Sequence, residues 1–287
     1  MNARTDHHAL AVPETYFATL PSGVRMPYVA RGAGAPLVFV HGSLCDYRYW
    51  NGQAAVLSKD FQCISVSLSH YWPADDSSVQ AAFNWWTHVA ELAEFITAMD
   101  IGPVHLVGHS RGGCVAFQLA REYPHLVKTL TLADPGGPLD LDGGAEAALP
   151  AATLALRAKV ADLIEGGAIE AGLELFVDSV SMPGIWRKSP ASFRRMAIDN
   201  AATLPKQFLD PLPAYTRAAA LDVRCRTLLI AGEKSPRMYR DNVEQLASWI
   251  ASAEKRCVAG ASHGMNVTHA GIFNRLVQTF ASSQLHT

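Results

Sequence analysis

Ser110 stands in Gly108-His109-Ser110-Arg111-Gly112, a Gly-x-Ser-x-Gly pentapeptide. A serine hydroxyl becomes a useful nucleophile only where a sharp turn thrusts it forward and a base can take its proton. The two glycines meet the first need, because side chains at those places would clash in a strained strand-to-helix turn. Val104-His105-Leu106-Val107 reads as the strand before the turn, and Gly113 to Ala120 as the helix after it. That context gives a short motif its weight. The helix N-terminus then lies against Ser110, where its partial positive charge favours an oxyanion, and the main-chain N–H of Arg111 is in place as one oxyanion donor. The Walker lysine and the dinucleotide spacing of glycines are both missing, which argues against a phosphate loop.

These groups need a scaffold, and the chain alternates buried strands with amphipathic helices. Thr15–Leu20 and Val24–Ala30 flank Pro21-Ser22-Gly23 as a hairpin. Pro36-Leu37-Val38-Phe39-Val40 is a continuous apolar run of strand length, as a strand covered on both faces requires. Similar runs follow at Phe61–Leu68, Val104–Val107, Val127–Leu132 and Arg226–Ile230, with Lys255–Val258 as the expected last strand. Helical periodicity marks Ala81–Met99, Gly113–Tyr123, Pro236–Ser252 and Ala270–Ser283. The alternation predicts an α/β fold: a mostly parallel central sheet flanked by helices. Between Asp134 and Asp222 the pattern turns helical and Ala-rich, with breaks at Gly136-Gly137-Pro138 and Pro211-Leu212-Pro213. The expected division is a core of residues 1–135 and 222–287, with a helical cap of 136–221 inserted after the strand ending near Asp134.

Composition bounds the partner. The 287 residues, 49% apolar, suffice for a large core, and 24 basic against 26 acidic side chains leave the surface near neutral. Nothing favours nucleic acid or an anionic membrane, so the expected partner is a small molecule. Met1–His8 is polar and leads into no apolar segment, no stretch reaches membrane-span length, and a cytoplasmic location is the default expectation. Five widely spaced cysteines (Cys45, Cys63, Cys114, Cys225, Cys257) lack metal or disulfide spacing and read as small buried hydrophobes. Neither a metal nor an organic cofactor is called for.

Taken together, Val-Phe-Val-His-Gly, Gly-His-Ser-Arg-Gly-Gly and the late His263, in that order, resemble the α/β-hydrolase superfamily, in its serine-nucleophile, esterase-like branch. The resemblance runs nearly the full length and is specific to fold but weak on substrate. It implies a second oxyanion donor at the residue after His41-Gly42, which is Ser43, with Leu44 as the near alternative. It also implies that His263, in the loop after the last strand, is the base among eleven histidines. The acid departs from the commonest pattern. Most relatives carry a carboxylate in Gly-x-x-Asp after the strand corresponding to Arg226–Ala231, but here the segment reads Gly232-Glu233-Lys234-Ser235. Some branches place the acid one strand earlier, which makes Asp134 the first choice and Glu233 the second.

The implied chemistry is hydrolysis of a small hydrophobic carboxylic ester or lactone through an acyl-enzyme. A serine in place of the aspartate of epoxide hydrolases and haloalkane dehalogenases argues against alkyl-enzyme chemistry. Carbon-carbon bond hydrolysis and cofactor-independent dioxygenation on the same Ser-His-Asp frame are the alternatives, followed by a ligand receptor without turnover. Trp72, in the loop after Leu68, and Trp186, in the cap, are the aromatic candidates for a substrate pocket. Phe176, Met182, Phe193 and Met196 accompany them. Arg187-Lys188 and Arg194-Arg195 could receive a carboxylate, although such pairs on a helix are usually just solvated. Cap Trp and Met side chains could equally form a homodimer surface.

Overall fold

The run Ala35–Val40 becomes β3, and its apolar residues serve two layers at once. Val38 and Val40 pack into one core cluster while Leu37 and Phe39 pack into another. Alternate side chains of a strand point to opposite faces, so an unbroken apolar run is the mark of a strand covered on both sides. The computed structural model describes residues 14–141 and 149–283; the polar Met1–His8 segment falls outside them.

Eight strands form one sheet in the order β1-β2-β4-β3-β5-β6-β7-β8. They are β1 (Tyr16–Thr19), β2 (Arg25–Arg31), β3, β4 (Phe61–Val66), β5 (Val104–His109), β6 (Val127–Ala133), β7 (Arg226–Gly232) and β8 (Ala253–Val258). The opening hairpin is antiparallel, as is β2 against β4, and every later pairing is parallel. β4 ends two residues before the apolar pattern does, because the Leu68 amide donates to His41 Nε2 (3.1 Å) and not to a neighbouring strand.

Helices cover both faces. Trp85–Ala98, Arg111–Glu122 and Arg237–Trp249 place Leu92, Phe95, Val115, Phe117, Val243 and Leu246 on one. Asn51–Leu57 and Ala270–Ser282 place Leu57, Phe273, Val277 and Phe280 on the other. The first of these starts at Trp85, four residues later than periodicity suggests, because the Asn84 side chain caps it by accepting from the Thr87 amide at 2.7 Å.

The segment between β6 and β7 is helical, including Ala151–Glu165, Ile169–Val180, Ala191–Asp199 and Thr203–Leu209. It has its own apolar cluster, including Val160, Leu173, Val177, Trp186, Ala197 and Leu204, which meets the sheet domain through Leu44. The chain's exit and return are stitched together. Tyr215 N donates to Pro138 O (2.8 Å), Asp140 N to Tyr215 O (3.0 Å), and Tyr215 Oη to Gly136 O (2.9 Å).

All five cysteines are free; Cys45, Cys63 and Cys114 are buried as expected. Cys225 is only half-buried and Cys257 is exposed, corrections to the expected burial; Cys257 lies on the edge strand β8, most of whose side chains are exposed or half-exposed. No helix among the described residues is long and apolar enough to cross a membrane.

Candidate active site

Connections from β3 lead to β4 on one side and then back across to β5 on the other, so the sheet reverses its strand order between β3 and β5. The carboxyl ends of the strands at such a switch point leave a crevice where no crossover helix lies. Register brings these ends level: Val40 opposes Gly108, His109 opposes Ala133, and Ala133 opposes Ile230.

Ser110 follows β5 directly with φ 52° and ψ −123°, and the helix Arg111–Glu122 begins at the next residue. Positive φ in a non-glycine residue costs roughly 1–3 kcal/mol and persists where surroundings over-determine it. Here the Ser110 amide donates to Ala133 O (3.1 Å), and its carbonyl accepts from Gly113, Cys114 and Gly136. The glycine requirement is steric: a Cβ on Gly112 would lie 2.2 Å from His41 O, and one on Gly42 would lie 2.9 Å from Ser110 Cβ.

Asp134, the residue after β6, also has positive φ, at 42°, and is fully buried. His263 Nδ1 bonds its Oδ2 at 3.1 Å. Ser235 Oγ donates to the same oxygen at 2.5 Å, and Gly232 N reaches Oδ1 at 3.4 Å. Glu233 turns away to the surface, where its carboxylate accepts from the Gly260 amide at 2.7 Å. Of the two carboxylates weighed from the sequence, the structure brings Asp134 to His263 and uses Glu233 to pin the turn before it.

The His263 ring is clamped. Tyr239 stacks on it with centroids 4.0 Å apart and planes 21° apart, and His109 lies across it at 4.5 Å. His109 Nε2 also donates to the His263 carbonyl at 2.8 Å, tying the late loop to the elbow. Burial, with His263 adding repulsion, holds the His109 pKa well below its ordinary value, so that ring stays neutral. The Tyr239 hydroxyl is close to both Ser110 and the Asp134 carboxylate, and burial foremost pushes its pKa up.

On the oxyanion side, His41 is a structural clamp. Its Nδ1 donates to Gly42 O (2.9 Å) while its Nε2 accepts from Leu68, and burial lowers its pKa to about 4. The neutral ring therefore staples the end of β3 to the chain leaving β4. Neither the Ser43 nor the Arg111 amide has a hydrogen-bond acceptor among the described residues. Ser43 Oγ donates to Gln207 Oε1 at 2.6 Å, and the Arg111 guanidinium forms a buried ion pair with Asp210. Both contacts come from one stretch of the helical segment, which thus grips the elbow and the loop after β3 together.

Both tryptophans have packing partners. Trp186 is 3% exposed inside the apolar cluster of the helical segment. Trp72 lies at the surface with the Arg48 guanidinium 3.8 Å above its ring and Tyr47 beside it. The aromatic of that loop that reaches inward is Tyr71, packed edge-on against His41 at 4.6 Å. Sequence reasoning missed Ser235, Tyr239 and Gln207. Ser235 had a signal, since it replaces the usual late carboxylate, whereas the other two are ordinary helix residues with no local mark.

A family model for the alpha/beta hydrolase fold matches residues 35–270, and the chain belongs to that family. It is 31% identical over 128 residues to an uncharacterized protein of Mycobacterium tuberculosis, a match covering 45% of this chain and 37% of that protein. It is 26% identical to the 2-hydroxymuconate semialdehyde hydrolase of Pseudomonas sp., over 93% of this chain and 94% of that one. Among solved structures it resembles an esterase from Exiguobacterium antarcticum, with a TM-score of 0.79 at 18% identity, covering 94% of this chain and all of that one. Against some curated relatives, then, the match spans well under half of their length.

Proposed function

We propose that the protein is a serine hydrolase cleaving a carboxylic ester or lactone of a small, largely apolar acid, with Ser110 as nucleophile, His263 as base and Asp134 as acid. The observation that carries this reading is the buried Asp134–His263 bond, with Tyr239 stacked on that imidazole and its hydroxyl close to a Ser110 held at positive φ. Ser110 Oγ attacks the carbonyl carbon while its proton passes to His263 Nε2. The tetrahedral oxyanion is received by the Ser43 and Arg111 amides. Collapse expels the alcohol, which takes the proton from His263. Water, deprotonated by the same imidazole, then attacks the acyl-enzyme and releases the acid and Ser110. Asp134 keeps the Nδ1–H tautomer and stabilises the imidazolium. Residues 136–221 serve as the lid that excludes bulk water, held down through Gln207 and Asp210.

Hydrolysis of a carbon-carbon bond is the second reading, supported by the near full-length likeness to the 2-hydroxymuconate semialdehyde hydrolase. A fluorophosphonate probe together with p-nitrophenyl esters of increasing chain length tests the first. Labelling that vanishes in Ser110→Ala, with ester turnover lost in parallel, is the expected result. Labelling without turnover of any ester, but with cleavage of a vinylogous diketone, would move the assignment to the second.

A further inference from the structure

Two of the cations marked out by the sequence in the helical segment are already paired at the surface: Arg187 pairs with Glu174 at 2.7 Å and Arg195 with Asp199 at 3.0 Å, with 78% and 75% of the two arginine side chains exposed. Neither is placed to wait for a ligand. Arg157, on the helix Ala151–Glu165, is half-buried and makes no side-chain hydrogen bond or ion pair among the described residues. Its guanidinium rests 5.4 Å above the Phe208 ring, and Phe176 adjoins that ring at 5.9 Å.

Phe208 fixes where this charge stands. Its neighbour Gln207 holds Ser43 Oγ, and Asp210, two residues on, binds the Arg111 side chain of the elbow. Arg157 is thus held over the stretch that spans the two oxyanion amides. Its electrostatic neighbours agree with that placement: burial lowers its pKa, the Tyr239 hydroxyl is one group that acts on it, and Arg111 is the other. No carboxylate of the described residues is among them; Asp210, two residues beyond the ring under the guanidinium, is spent on Arg111. A cation withdrawn from water without a counter-charge is costly, and proteins retain such a group where a ligand supplies the missing charge. The planar guanidinium fork matches a carboxylate bidentately.

We propose that Arg157 is the recognition group for a carboxylate carried by the substrate, so that the enzyme acts on monoanionic acyl compounds. The carboxylate docks on Arg157, the Phe208 and Phe176 rings line the short apolar spacer, and the scissile carbonyl lies on Ser110. This names the substrate class of the serine-hydrolase site and rests on that reading.

The test compares p-nitrophenyl hemiglutarate with p-nitrophenyl valerate, esters of equal chain length that differ in the terminal carboxylate. The wild-type enzyme is expected to favour the hemiglutarate in kcat/KM by about 10- to 100-fold, the range of a charge-assisted pair. Arg157→Met should bring that ratio close to one, and Arg157→Lys should restore part of it. A purely structural role would lower both esters together and leave the ratio standing. A wild-type preference for valerate, or a ratio that survives Arg157→Met, overturns the proposal. If neither ester is turned over and the fluorophosphonate does not label, the serine-hydrolase reading has failed, and calorimetry with glutarate still reads the arginine. Binding by wild type that is lost in Arg157→Met supports the carboxylate site, and equal or no binding refutes it.

Discussion

Replacing Asp134 by Asn isolates charge from geometry. Both strong donors, Ser235 Oγ at 2.5 Å and His263 Nδ1 at 3.1 Å, converge on Oδ2, whereas Oδ1 receives only the long 3.4 Å bond from Gly232 N. An asparagine therefore settles with its carbonyl oxygen where Oδ2 was and its NH2 towards Gly232, sacrificing the weakest of the three. The histidine keeps its tautomer and position, and what disappears is the negative charge beside the imidazolium. Two unit charges about 4 Å apart at an effective dielectric of ~20 interact by about 4 kcal/mol. Since each ~1.4 kcal/mol is a factor of ten, kcat/KM for a p-nitrophenyl ester should fall about 1000-fold. Glu233→Gln, which alters only the cap on the Gly260 amide, should stay within about threefold, because an exposed contact of that kind is worth under ~1 kcal/mol. Stopped assays at pH 7.5, with circular dichroism to show both variants folded, decide it. If Asp134→Asn keeps a tenth or more of the activity while Glu233→Gln collapses, the assignment of the acid is wrong.

Three other perturbations have definite outcomes. Tyr239→Ala removes the ring stacked on His263 and should cost about 3 kcal/mol in denaturant unfolding together with much of the activity, while Tyr239→Phe should hold stability within ~1 kcal/mol; a loss in Tyr239→Phe as large as in Tyr239→Ala would shift the role from the stack to the hydroxyl. Gly112→Ala drives a Cβ to 2.2 Å from His41 O and 2.6 Å from Val40 O, both backbone, so a loss of about 3 kcal/mol is expected from the urea midpoint, and an unchanged midpoint would refute the packing argument. Glu91 is buried, and burial raises its pKa from 4.5 to about 7. Between those values the unfolded chain has lost a proton that the fold retains, so stability falls as pH rises from 4.5 to 7. Glu91→Gln should therefore gain on the order of 3 kcal/mol at pH 8 and nothing at pH ~3, where both states are protonated; an equal gain at both values would show that charge is not the cause. His41 runs the other way. Its pKa of about 4 lies below the ordinary 6.5, so stability falls as pH drops from 6.5 to 4, when the unfolded chain takes up a proton that the fold refuses.

What could be read from the sequence is what local pattern encodes. β3 announces itself because a strand buried on both faces needs apolar residues at every position, and the elbow because its turn tolerates only glycine at fixed places. Asp134 entered through the family resemblance, as the carboxylate directly after a predicted buried strand where some branches place the acid, with Glu233 as the second choice. Illegible features are those made by contacts between separate elements. Ser235 meets Asp134 and Gln207 meets Ser43 across more than a hundred residues, and Tyr239 acquires meaning only when His263 folds back onto it. The packing of Trp72 and Trp186 was illegible for the same reason, since bulk and hydrophobicity serve pockets and cores alike, and only position separates them. Arg157 carried no mark at all beside the paired arginines that follow it.

The acid's place on β6 is mechanically consistent with the rest of the site. β5 and β6 are hydrogen-bonded neighbours, and the two strained residues at their ends brace each other: Ser110 N donates to Ala133 O, and Gly136 N, two residues past Asp134, donates back to Ser110 O. Asp134 N is in turn held by Ile230 O of β7. Ser110 and Asp134, the proposed nucleophile and acid, are thus parts of one hydrogen-bonded unit, and a shift of either strand end would move both. With the carboxylate supplied from β6, the end of β7 no longer needs an acid. Ser235 becomes a donor that orients Asp134, and the helix starting at Arg237 delivers Tyr239 over the imidazole. That helix start, which in the commoner arrangement would follow an acid, here holds both partners of the Asp134–His263 bond in line. Such coupling predicts that the substitutions Asp134→Glu and Ser235→Asp, which restore a late carboxylate while displacing the early one, fail to rescue each other. Asp134 is fully buried at φ 42° with Ser235 Oγ and His263 Nδ1 both on its Oδ2, so a longer acid there would have to push those partners aside.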